Sequence, residues 1–144
     1  MKLDPRPHRV FCDTSFFYAC LDHADVNHDA AAELASWAAK NGIDFYSTWD
    51  VVSETSTLLL MRCGYKIAIA FLDEIKPSLN IITYDESIRD QAESIFKKFS
   101  RDKFLSYCDA ISFTVVTLLL NNIPCLSFDK DFRNLGLTVL RSPI

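Results

Sequence analysis

Glycine and proline are scarce in this chain, 3 and 5 among 144 residues, so long flexible linkers are not expected. The length fits one ordinary domain, and residues 1–144 are read as a single unit able to bury a real core. Five cysteines occur (Cys12, Cys20, Cys63, Cys108, Cys125), an odd number with no C-x-x-C pair. Most sit in apolar surroundings, where a free thiol behaves as a small hydrophobe. A disulfide framework or a zinc site is therefore not expected, and a reducing cytoplasm is the expected location. Long apolar runs are missing too. The longest, residues 111–120, is interrupted by Ser112, Thr114 and Thr117, well short of the roughly 20 residues a membrane-spanning helix needs. Residues 1–8 have no apolar core of a signal peptide. Nor is there an excess of positive charge. The net charge of −4 excludes a broad basic nucleic-acid face and leaves room only for a local patch.

What is present is alternation. An apolar fraction of 49% with 24% charged residues suits a globular chain, and short strand-like runs alternate with helical periodicity. Strands are expected at residues 9–12, 43–47, 79–83, 124–127 and 137–140. Helices are expected at 14–21, 28–40, 49–62, 65–75, 86–99 and 106–121, with a turn or short helix at 129–135. Asn41-Gly42 and Gly64 are the natural stops, and Thr83 with Glu86 has capping-box spacing. The segment at 106–121 is apolar nearly all round, which predicts burial or a partner. Strands separated by helices imply an α/β fold, three-layered, with a central, mostly parallel sheet of four to five strands. Right-handed crossovers put every strand's C-terminal end on one edge, where ligands bind in such folds.

Four acids stand at element boundaries beside apolar runs: Asp13, Glu54, Asp109 and Asp129. Each has an ordinary explanation. Asp13 can cap a helix, Glu54 can be a solvated helix position, Asp109 can favour a helix N-terminus, and Asp129 or Asp131 can cap a turn. The topology nevertheless sends all four to the same sheet edge. Gathered there, their charge requires a cation, which is the makeup of a metal-dependent phosphodiester-cleaving site. His23 and His28 fit no common zinc spacing and read as a solvated loop and helix start.

These residues carry a resemblance. Val10-Phe11-Cys12-Asp13-Thr14-Ser15, Ser53-Glu54, Cys108-Asp109-Ala110 and Ser127-Phe128-Asp129-Lys130-Asp131-Phe132 resemble, in order and spacing, the motifs of PIN domains. Asn27-His28-Asp29-Ala30-Ala31 resembles that family's entry into its second helix. Within the family the likeness is to VapC-type toxin ribonucleases, and it runs from about residue 9 to 140. It implies a catalytic set of Asp13, Glu54, Asp109 and Asp129 holding Mg²⁺ or Mn²⁺. Asp131 is the further metal candidate of the last motif, with Asp129 ranked first because it lies nearer the strand end. Thr14 and Ser127 are implied to orient ligands or water from behind the metal ligands.

For the RNA backbone, Lys97, Lys98, Arg101 and Lys103 are the better candidates because they precede Asp109, ahead of Arg62 and Lys66. The apolar helices at 49–62 and 65–75 offer surface for a homodimer or for a small antitoxin protein. Three rival readings stand beside this one: a PIN-fold binding module with a dead site, a signalling receiver domain and a haloacid-dehalogenase-type phosphatase. A receiver domain wants an acidic pair after strand one and an acceptor Asp after strand three, where this chain has Cys12-Asp13 and Thr83. The D-x-D at Asp129-Lys130-Asp131 lies too near the C-terminus for the phosphatase. An RNA-processing nuclease without an antitoxin stays open as the alternative role.

Overall fold

The computed structural model describes residues 6–144. Residues 1–5, part of the segment read for a leader, lie outside the described residues. Five strands form one sheet: β1 (Arg9–Cys12), β2 (Asp44–Ser47), β3 (Asn80–Ile81), β4 (Cys125–Leu126) and β5 (Val139–Leu140). All pairings are parallel, and the order is β3-β2-β1-β4-β5. The helices are α1 (Thr14–Leu21), α2 (His28–Lys40), α3 (Trp49–Cys63), α4 (Tyr65–Ala70), α5 (Glu86–Phe99), α6 (Tyr107–Leu118) and α7 (Lys130–Asn134).

The central position of β1 explains its composition. Val10, Phe11 and Cys12 are fully buried because both faces of a central parallel strand are covered. The aromatic core continues from it. Phe16 meets Phe45 edge-on at 5.8 Å, and Phe17 packs on Phe71 at 5.3 Å.

Strand order fixes where a site can form. From β1 the chain steps outward to β2 and β3, then returns through α5 and α6 to β4, on the other side of β1. Successive right-handed crossovers in opposite directions lay helices on opposite faces and open a crevice between β1 and β4 at their C-terminal ends. The register pairs Phe11 with Cys125 and Cys12 with Leu126, so the next residues along, Asp13 and Ser127, emerge side by side.

Several expected boundaries shift, each for a local reason. β3 is only Asn80–Ile81, at the sheet edge, where Asn80 Nδ2 donates to the Phe45 carbonyl at 3.2 Å. The cap of α5 is Asp85 rather than Thr83: its carboxylate accepts from the Ile88 N–H at 3.2 Å, and Asp is the stronger capping residue. The helix expected at 65–75 keeps α geometry to Ala70. It then widens into a π turn (Phe71–Ile75) and a 3₁₀ turn (Lys76–Ser78) that accommodates Pro77. α6 stops at Leu118 because Asn121 and Asn122 both take positive φ, 53° and 57°, which Asn tolerates. Leu118 and Leu119 are consequently exposed rather than buried. Gly64, at φ 97°, turns the chain from α3 into α4, a conformation that favours glycine.

Candidate active site at the β1–β4 crevice

Asp13 leaves β1 and immediately caps α1: its Oδ1 accepts from the Phe16 N–H at 2.9 Å. Capping does not remove Asp13 from the crevice: the same carboxylate lines the cavity there. Ser15 Oγ donates to Asp13 at 2.8 Å, and Ser127 Oγ donates to Asp13 Oδ2 at 2.6 Å. Both hydroxyls are also acceptors. Ser15 Oγ receives the Phe128 N–H at 2.9 Å, and Ser127 Oγ receives the Asp129 N–H at 3.0 Å. Two serines thus lace the end of β1 to the end of β4.

Asp109 sits in the first turn of α6 in a capping box. Ser106 Oγ accepts from the Asp109 N–H at 3.0 Å, and Asp109 Oδ2 accepts from the Ser106 N–H at 3.2 Å. Asp129 caps α7, accepting from the Asp131 N–H at 2.9 Å. Glu54 is exposed on α3.

Asp13, Glu54, Asp109 and Asp129 line one cavity of about 320 Å³. Thr14 lines it too, its Oγ1 buried without a hydrogen-bond partner. Asp131 is not among the lining residues; its N–H instead serves Asp129. The four basic residues expected to hold RNA are elsewhere. Lys97 pairs with Glu93 at 3.5 Å, and Lys98 and Lys103 lie over the Phe99 ring at 5.2 and 5.3 Å. Arg101 is exposed in the turn after α5, away from the lining. The cation that does line the cavity is Arg62, near the end of α3. Proximity to Asp109 in the chain does not bring these four residues into the lining of the cavity. An apolar groove of about 780 Å³, walled by Trp49, Leu58 and Met61, adjoins the cavity and shares Glu54, Leu58 and Ser106 with it.

Burial sets the electrostatics. It pushes the Asp13 carboxyl up to about 6 despite hydrogen bonds from Ser127, Phe16 and Ser15, and Asp129 adds to the rise. Asp109 is pushed up to about 7, first by burial and then by Asp129 and Asp13, against the Ser106 N–H. Asp129 is raised by burial and by Asp131. The Cys108 thiol, buried beside Glu54 and Asp109, is raised and stays protonated. All five cysteines are free.

Ser127 carries one prediction. Ser127→Ala removes a donor to a buried carboxylate and the acceptor of the Asp129 N–H. A loss of about 1–3 kcal/mol is expected in urea unfolding. An unchanged midpoint would show that the lacing contributes nothing.

Comparison with known proteins places this architecture. The PIN domain family model matches residues 10–137, and the chain belongs to that family. It is 32% identical over 135 residues to the 23S rRNA-specific endonuclease VapC20 of Mycobacterium tuberculosis, an alignment covering 92% of this chain and 98% of the relative. The crystal structure of M. tuberculosis VapC20, described as a sarcin–ricin loop cleaving toxin, superposes with a TM-score of 0.77 at 27% identity. That match covers 90% of this chain and 96% of the other. VapBC2 from Rickettsia felis shares the fold at TM-score 0.66 and 12% identity, over 92% of this chain and 97% of that one.

Proposed function

We propose that this protein is a divalent-metal-dependent endoribonuclease and the toxin of a toxin–antitoxin pair. One observation carries the reading: acids from four separate segments line a single cavity at the switch point of a parallel sheet. Likeness to a 23S rRNA-specific endonuclease over nearly the whole chain supports RNA as the substrate and 23S rRNA as the first one to try.

The donors suit a hard cation. They are carboxylate oxygens, and burial, with their mutual repulsion behind it, raises Asp13 and Asp109, so a positive ion would restore their charge. Among the described residues no three His, Cys, Asp or Glu side chains are grouped tightly enough to hold a metal directly. Mg²⁺ and Mn²⁺ suit such a set, since Mg²⁺ keeps several of its waters and uses few carboxylates. Asp13, Asp109 and Asp129 would hold the ion partly through its retained waters, with Asp131 a weaker candidate because it is absent from the lining. When bound, the metal supplies a more acidic water and stabilises charge on the phosphoryl oxygens. Ser15 and Ser127 fix the Asp13 carboxylate in one orientation, and the buried Thr14 hydroxyl is free to bond a water or a substrate oxygen. Glu54, exposed and lining the cavity, would orient a water there.

An antitoxin would cover the exposed apolar row on α3 and the start of α4, which includes Trp49, Leu60, Met61 and Tyr65. A second copy of the chain would use the same surface in a homodimer. Among the described residues no helix is long and apolar enough to cross a membrane.

The test is incubation of the purified protein with total RNA, with and without Mg²⁺ or Mn²⁺, followed by mapping of cleavage ends. Discrete ends that vanish with EDTA are expected. Intact RNA under all conditions, or cleavage indifferent to EDTA, would overturn the proposal.

A further inference from the structure

Arg62 is placed oddly for a surface cation. It lines a cavity with Asp13, Asp25, Glu54, Asp109 and Asp129, yet it pairs with none of them: the single Lys/Arg–carboxylate ion pair among the described residues is Lys97–Glu93. What holds it is an aromatic face. The guanidinium carbon lies 5.5 Å from the centroid of the Tyr18 ring, a cation–π arrangement that fixes the group without neutralising it. Tyr18 is fixed in turn. Its hydroxyl donates to Asp22 Oδ2 at 2.5 Å, and Cys63 Sγ, next to Arg62 in the chain, lies 4.0 Å from the same oxygen. Only 8% of Tyr18 is exposed, so the ring is part of the core rather than a loose surface group.

This arrangement keeps a planar, permanently charged fork open at the mouth of an acidic cavity. Guanidinium suits phosphate oxygens in a bidentate contact, and stacking lowers the entropy lost on engaging them. A polyanion approaching these carboxylates needs a counter-charge near them, and α3 supplies no other cation: Arg62 is its only basic residue.

We infer that Arg62 is a substrate-binding residue that grips a backbone phosphate of the RNA next to the scissile bond, with Tyr18 as its positioning residue. The inference rests on the ribonuclease reading and assigns the contact to α3 instead of the basic segment after α5. Lys97, Lys98, Arg101 and Lys103 then act as ordinary surface charge.

The test measures binding and cleavage separately. A fluorescein-labelled RNA hairpin of the sarcin–ricin loop sequence is titrated in EDTA over a range of KCl concentrations, and its cleavage is followed with Mn²⁺. Arg62→Ala is expected to weaken binding roughly tenfold and to flatten the log–log salt dependence by about 0.7, one single-stranded phosphate contact. Arg62→Lys keeps the salt slope and lowers kcat, because charge remains without the fork. Tyr18→Phe keeps the slope and raises KM several-fold with kcat little changed. Mn²⁺ affinity by calorimetry stays at the wild-type value in all three. Unchanged binding in Arg62→Ala, or weaker binding with the wild-type slope, would overturn the contact while leaving the nuclease reading intact. If wild-type protein cleaves no RNA but the slope still falls, the contact stands and the nuclease reading fails.

Discussion

Asp13→Asn is expected to reduce RNA cleavage roughly a thousandfold or more in kcat/KM, the scale of losing several kcal/mol of metal-borne stabilisation. The same variant is expected to melt no lower than wild type at about pH 8 in EDTA. The second half of this expectation separates a functional acid from a structural one. Asp13 is 3% exposed and its carboxyl is pushed up to about 6, so ionising it near pH 8 costs stability. Asparagine is a good helix cap and can still accept the Phe16 N–H. The Ser15 and Ser127 hydroxyls can turn to accept from its amide. Activity and melting temperature should therefore move in opposite directions or diverge. A variant that stays active removes Asp13 from the mechanism. One that is inactive and also strongly destabilised in EDTA makes the residue mainly a structural clamp.

Without metal, the protein is expected to lose stability as pH rises from about 5 to 8. Asp13 and Asp109 have folded-state values of about 6 and about 7 against a reference of 3.8. A carboxyl with a raised value binds more protons in the folded state. Its stabilising contribution is complete below the unfolded value and disappears as pH climbs through the folded one. The window is thus roughly pH 4 to 7, and between pH 5 and 8 the two groups together give a loss on the order of several kcal/mol. For a chain of this size that is about 10 °C in Tm. Millimolar Mn²⁺ should recover much of the loss at pH 8 and little at pH 5, where the ligands are protonated. Scanning calorimetry in EDTA and in Mn²⁺ at both pH values checks this. A Tm that is flat with pH in EDTA, or a metal effect equal at both pH values, would contradict it.

The fold was legible because alternation of short apolar runs and helical periodicity leaves little choice but a parallel sheet. Placement of Asp13 and Asp129 followed from the same logic, since each lies shortly after a strand. The site's finer wiring was not legible. Thr14 and Ser15 both follow Asp13, and only the turn from strand to helix decides that Ser15 bridges to Phe128 while Thr14 stays without a partner. Of the acids that line the cavity, only Glu54 is near Arg62 in sequence. Arg62 reaches the cavity because α3 carries it there and because a tyrosine from α1 lies beneath it. The basic run after α5 lies close to Asp109 along the chain, yet none of its four residues lines the cavity.

The serine lacing between β1 and β4 joins parts of the chain more than a hundred positions apart, with separations of 113 and 114 residues. During synthesis the first half of the centre emerges early and has nothing to close against. Only when β4 and the two residues beyond it have left the ribosome can the crevice be sealed. A nascent or prematurely terminated chain therefore carries the acid of β1 without its counterpart, so the centre is completed only late in synthesis.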